Sequence, residues 1–563
     1  MTALRAASSP LASALRLAQP NAPRLAVAGL AANEQTGTLA FSPSGTAGVD
    51  TVANVGDVGL ASGTTKLTVA LDLKANQKYS FSFYYLSGGP KVTLTDAHGK
   101  KTAVTMSKGF SVAKSGTYQL TFEAGYSLKT ANFDHLAIRA KSVLPSSTGD
   151  KRLDALLLGG SGQWWHPATA AAVRTNNHIT SSAIGLDAGS SATALTYSFL
   201  STQPGGQSMT GFAEMTDAQK DAVRRAFDYY SKVINVTFTE VAGDGTGDIN
   251  LGTNSQASSA GYANMPDGNP DKDQVYLFLA NNAATNGDAG MQEGGYGWET
   301  ILHEIGHTLG LKHPGNYNAG GGGTPGPYLS ASDDNHQHSI MSYKDNAVTR
   351  GVNATTPMLY DVAALQYLYG ANQSDSTAAG GSFTFTAGHN YLETLWSTNG
   401  TDTIDLSGLT NSSRVDLNAG TYSSINIVAP ASSANYSGNN NVALAYGSEI
   451  DDVTLSSTTG VAESVTLNKA YASGRFDTIG ALEAADDKIN LKKSLFGSLK
   501  ASNIEFGAAA TKSTSKIIVN NTTGEIFYDA DGSGHKSAAK KIAQFSLLGG
   551  TGALSKSNFS FVG

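Results

Sequence analysis

The stretch that decides the reading is ILHEIGHTLGLKHPG, residues 301–315. Together with the preceding WET, its apolar Ile301, Leu302, Ile305 and Leu309 recur at helical spacing, so the segment predicts a helix packed by one face. His303 and His307 stand four residues apart, which puts their imidazoles on the same side of that helix, within reach of one ion. Gly306 and Gly310 are poor helix residues, and Gly310 is placed to end the helix in a left-handed turn. That turn would swing the chain back and bring His313 to the same ion. Three neutral imidazoles with an open coordination position describe a catalytic zinc site better than a structural one. Glu304, beside the first ligand, would face a water at that open position. A carboxylate there can take the water's proton and later deliver it to a leaving amine.

Composition narrows the rest. A chain of 563 residues is too long for one ordinary core and predicts about three domains. Its 63 glycines, with abundant Ser, Thr and Asn, suit turn-rich β structure. A formal net charge of −7 and no basic stripe argue against nucleic acid as a partner. Cysteine is absent, which removes disulfides, thiolate ligands and cysteine nucleophiles. The opening MTALRAASSPLASALRLAQPNAPRLAV breaks its apolar run with Arg5, Arg16, Arg24 and three prolines, unlike a cleaved export signal. No stretch approaches the ~20 apolar residues of a membrane span.

Residues 1–63 read as a leader or pro-segment. From 64 to 145 the pattern alternates: Leu67, Val69, Leu71 and Leu73, then Tyr79, Phe81, Phe83 and Tyr85, then Tyr118, Leu120 and Phe122. This predicts a small antiparallel β-sandwich, equally open as a folding segment or a binding module. In the next region, Thr216 and Gln219 form a capping-box pattern ahead of Ala222, Val223, Ala226, Phe227, Tyr230 and Val233, a helix of about five turns. VTFTEV and DINLG follow as short strands.

The run His303-Glu304-x-x-His307-x-x-Gly310-x-x-His313 resembles the long motif of the metzincins, and Pro314 and SIMSY (339–343) narrow the likeness to the serralysin family of bacterial secreted proteases. The resemblance implies Met341 in a turn beneath the zinc. It also implies that Tyr343 binds the metal at rest and swings away to steady the oxyanion; on sequence alone Tyr343 is an ordinary aromatic. LTYSF (195–199), NVTFTEV (235–241) and PMLYDVAALQYLYGAN (357–372) extend the likeness. AGYANMP (260–266) would form the upper rim of the cleft, where an extended protein or peptide substrate adds as a strand. His336 and His338 read as solvated loop histidines rather than ligands, and WWHP (164–167) as a packed aromatic pair.

After Asn372 the helical signal fades. Residues 392–425 resemble the opening of the serralysin carboxy-terminal domain, but no Gly-Gly-x-Gly-x-Asp calcium repeat occurs in the chain. Asp402 and Asp405, and Asp529 and Asp531 in YDADGSG, are candidate calcium ligands, with tight-turn residues as the equal alternative. The end, from IGALEAADD to NFSFVG, looks like the uncleaved cap of proteins exported by type I secretion machinery.

The whole therefore predicts a multidomain α+β and all-β chain. A metzincin catalytic domain at 151–372 is flanked by the amino-terminal β-sandwich and by a β-roll or sandwich-like domain at 373–563. The function expected is a secreted, extracellular zinc endopeptidase with Glu304 as general base, of broad action or as a narrow processing enzyme. The alternative is an extracellular matrix or surface-layer binding protein in which the zinc site is incidental.

Overall fold

The structure, a computed structural model, describes residues 34–38, 50–55, 66–73, 77–82, 91–104, 110–112, 116–123, 136–142, 148–158 and 193–563, without 206–208, 267–273, 320, 347–348, 374–380, 399–400, 430–434, 469–473 and 535. WWHP at 164–167 lies outside the described residues. Contacts divide the chain into two compact units, essentially residues 1–144 and the remainder.

Among the described residues the first unit holds the strands β1 (Glu34–Thr38), β2 (Asp50–Val55), β3 (Lys66–Leu73), β4 (Gln77–Ser82), β5 (Lys91–Thr95), β6 (Lys101–Val104), β7 (Phe110–Ser111), β8 (Gly116–Glu123) and β9 (Leu136–Ser142). They form one sheet in the order β1-β3-β8-β5-β6 and another in the order β2-β9-β4-β7. The alternation is visible in β8, where Leu120 and Phe122 are fully buried and their neighbours are not. One expectation is corrected. β1 and β2 fall in the stretch read as leader, yet β1 pairs in parallel with β3 and β2 antiparallel with β9. The break expected at residue 63 therefore cuts through both sheets. Glycine, threonine and alanine in EQTGT and DTVANV gave too weak a period-two signal to reveal them.

The second unit begins with the short helix α1 (Lys151–Leu156), capped by the Asp150 side chain. Then come β10 (Thr193–Phe199), α2 (Asp217–Val233), β11 (Val236–Glu240), β12 (Ile249–Asn254), β13 (Gly261–Ala263), β14 (Val275–Ala280), α3 (Tyr296–Thr308) and α4 (Leu359–Tyr369). The sheet order is β11-β10-β12-β14-β13, parallel except for β13, which runs antiparallel to β14 at the edge. α2 starts where its capping box predicts: Thr216 Oγ1 accepts from Gln219 N, and Gln219 Oε1 accepts from Thr216 N. Its buried stripe runs from Ala222 to Val233, and Tyr230 Oη donates to the Leu302 carbonyl at 2.8 Å, fixing α2 to α3.

Beyond residue 381 the chain coils between two sheets. Ser382–Thr386, Thr403–Gly408, Asp452–Thr454, Asp477–Leu482 and Lys540–Leu547 pair in parallel in one. Arg414–Asp416, Ser464–Thr466, Lys488–Lys492 and Phe559–Val562 pair in parallel in the other. Each turn of the coil buries apolar pairs such as Ile404 and Leu406, Val415 and Leu417, Val453 and Leu455, and Val465 and Leu467. Buried acids tie the turns to main chain: Asp487 accepts from Glu463 N and Glu483 N, and Asp477 from Asn468 N. Among the described residues, no helix is long and apolar enough to cross a membrane.

Candidate metal centre and active site

α3 carries His303 and His307 on one face and ends at Thr308, where Gly310 takes φ 101° and turns the chain back. The return brings His313 Nε2 to 3.2 Å from His303 Nε2 and 3.0 Å from His307 Nε2. Each opposite nitrogen faces an acceptor. His303 Nδ1 lies 2.8 Å from the Ile340 carbonyl, His307 Nδ1 2.7 Å from that of Leu311, and His313 Nδ1 2.8 Å from Asn318 Oδ1. Those partners hold the protons on Nδ1, so three Nε2 lone pairs converge on one point. Such an arrangement repels itself unless a cation sits between.

The donor set fits zinc. Tetrahedral Zn–N bonds of about 2.1 Å place nitrogens about 3.4 Å apart, near the separations here. Burial, then the neighbouring imidazoles, pushes the pKa of His303 well down, and burial first brings His307 to about 3 and lowers His313. All three are therefore neutral, the form that binds metal. Among the described residues, no other group of three His, Asp or Glu side chains has ligand atoms converging this closely.

Glu304 is 5% exposed, and its Oε2 has no hydrogen-bond partner. Burial pushes its carboxyl up to about 8; a cation beside it would pull it back down. β13 approaches it directly, for a Cβ on Gly261 would fall 2.9 Å from Glu304 Cγ. Among the described residues β13 is the outermost strand of this sheet, and it lies against the carboxylate. Met341 is fully buried beneath the helix, with its sulfur 2.9 Å from where a Cβ on Gly306 would be. The Tyr343 ring is 47% exposed, stacks on Tyr317 at 4.8 Å and stands 4.6 Å from the His313 ring, centroid to centroid. Burial, then Glu304, pushes its phenol up to about 12, which keeps it protonated.

Sequence reasoning missed the group that holds this turn. Asp361, near the start of α4, accepts from Ser339 Oγ at 2.6 Å, Ile340 N at 2.7 Å and Met358 N at 2.9 Å. It fixes the backbone N–H of Ile340, the residue whose carbonyl orients His303. The signal was available: α4 buries every one of its residues, and a lone acid in such a helix needs partners.

Several expectations are revised. His336 and His338 are half-buried and partnered rather than free in solvent: His338 stacks on Tyr360 and bonds Tyr422 Oη at 2.7 Å, while His336 faces Glu299 and Asp345. Asp402 accepts from Ser397 Oγ and Gly381 N, and Asp405 from Ser407 N. Asp529 accepts from Asp531 N and Gly532 N, and Asp531 from Lys536 N and Ser537 N. These acids make the main-chain hydrogen bonds of tight turns, and among the described residues no third His, Asp or Glu side chain converges on either pair.

Comparison with known proteins agrees with this centre. The family model described as Reprolysin_5, metallo-peptidase family M12, matches residues 176–354. Metallopeptidase AprA of Pseudomonas marginalis is 34% identical over 258 residues, 41% of this chain and 54% of that protein. Serralysin of Proteus mirabilis is 34% identical over 38% of this chain and 49% of its own length. Serralysin C of Dickeya chrysanthemi is 35% identical over 41% and 52%. The chain thus spans about half the length of the curated relatives it matches. The solved structure of myroilysin aligns over 32% of this chain and 93% of its own at 19% identity, with a TM-score of 0.20, too low to carry an argument. The convergent imidazoles and these matches together mean that this chain carries a metallopeptidase domain similar to those of the serralysins.

Proposed function

We propose that the chain is a zinc-dependent endopeptidase acting on unfolded or loop segments of proteins outside the cell. The observation that carries this reading is Glu304, a buried carboxylate beside three convergent imidazoles with one oxygen left unpartnered. Burying an unsatisfied polar group costs about 1–3 kcal/mol, which a matrix or surface-layer binding protein would have no reason to bear.

His303, His307 and His313 would hold the metal. Zinc bound there supplies the Lewis acidity that acidifies a water and polarises a scissile carbonyl. An extended segment of substrate adds to the outer edge of β13, whose main chain gives affinity with little demand on side chains. Glu304 takes the proton of the attacking water on its free oxygen and returns it to the leaving amine. Tyr343, a ligand at rest in this reading, donates its phenolic proton in a hydrogen bond to the developing oxyanion. Gly261 lets the substrate strand lie close to that chemistry.

The coiled parallel sheets after residue 381 are read as a β-roll-like export domain, and type I secretion follows from the likeness of the terminal cap. The amino-terminal sheets remain open as a folding segment or a binding module. Treating the purified chain with a strong chelator should lower cleavage of an unfolded protein by about 10²-fold or more, and one equivalent of zinc should restore it. Full activity after verified loss of metal would sink the reading.

A further inference from the structure

We propose that the cavity beside Glu304 receives the side chain of the residue following the scissile bond, and that it selects lysine or arginine there. This deepens the peptidase reading and rests on it.

The cavity measures about 550 Å³ and lies between α3, the approach to β13 and the chain after Met341. Of the active groups it touches His303, Glu304 and Tyr343, but neither His307 nor His313. It therefore flanks the Glu304 side of the centre. Glu304 hands its proton to the leaving amine, so the residue that carries that amine must sit against Glu304. Its side chain then has this cavity in front of it. The unpartnered, buried Oε2 of Glu304 marks the same wall as one that needs a ligand.

The far wall is acidic. Glu299 lies one helical turn before His303, so it shares the face of α3 that lines the cavity, and it is 5% exposed. Its Oε2 accepts from Ala354 N, while its Oε1 lies 3.4 Å from His336 Nδ1. Asp345 Oδ1 lies 3.4 Å from the same nitrogen. His336 Nε2 faces the Ser342 carbonyl at 2.8 Å and so carries its proton there. Two carboxylates share one imidazole, and the cavity lining includes no lysine or arginine. Burial raises the Glu299 carboxyl, and with a proton held there the wall keeps the negative charge of Asp345. Lys344, next to Asp345, is turned away onto Asp334 at 2.6 Å.

Tyr296, Ile340 and Val352 supply apolar surface along the way. An aliphatic stem packs on such a wall while its charged head reaches the carboxylates. A guanidinium offers these acids two hydrogen bonds at once, an ammonium a point charge. An acidic side chain would meet like charge in a poorly solvated space.

The test is to digest a set of unfolded proteins with the full chain, zinc loaded, and to read every new terminus by mass spectrometry. Lysine and arginine should be enriched about tenfold or more directly after the cut, with Asp and Glu depleted. Asp345→Lys should erase that enrichment, read as a ratio of sites within one digest; its side chain is 44% exposed, so the fold should accept the change. Glu299→Gln should weaken it as well. Abundant cuts without enrichment, or an enrichment that Asp345→Lys leaves intact, overturn this inference and leave the peptidase standing. No cuts by the zinc-loaded wild type would overturn both.

Discussion

Replacing Glu304 by Gln is expected to lower kcat by about 10²–10⁴-fold, the usual contribution of a positioned general base. The amide keeps the shape of the side chain and cannot accept the water's proton. Because Oε2 bonds nothing, the substitution sacrifices no hydrogen bond there, and the fold should be as stable as before. The variant should also retain zinc, since Glu304 is not among the convergent donors. The check is single-turnover cleavage of an unfolded protein beside the thermal melt and metal content of the same preparation. A variant that keeps its zinc and cuts at more than a tenth of the wild-type rate would remove Glu304 from the mechanism.

The second large effect is expected at a residue that touches neither metal nor substrate. Asp361→Ala leaves Ser339 Oγ, Ile340 N and Met358 N without their acceptor in a buried site. Leaving buried donors without an acceptor costs about 1–3 kcal/mol apiece, read by denaturant unfolding. The loss should reach the metal too. The Ile340 carbonyl orients His303, and disturbing a partner behind a ligand typically weakens metal affinity by about 10–100-fold. Competition with a zinc chelator well below the melting temperature separates the two effects. Destabilisation with unchanged zinc affinity would make Asp361 a packing residue only.

How far the sequence carried depends on where the information lay along the chain. His303, Glu304, His307, Gly310 and His313 sit within eleven residues, and helical geometry converts their spacing into a site. The capping box at Thr216 and the stripe behind it are equally local, and α2 follows them closely. Asp361 lies 58 residues after the ligand it supports, and only the packing of α4 under the Met341 turn joins them. Glu299, His336 and Asp345 come from two separate segments, so their meeting was invisible, and His336 looked solvated because a polar loop surrounds it. The early strands β1 and β2 were hidden for the opposite reason: small residues give a strand little pattern to read.

The most direct test of the central claim is the zinc content of the purified chain, measured by elemental analysis beside His307→Ala. His307 is the buried middle donor, 3.0 Å from His313 Nε2, and removing it should dismantle the site. The expected result is about one zinc per chain in the wild type and less than about a tenth of that in the variant. Equal zinc in both proteins, or none in an active wild type, would contradict the account.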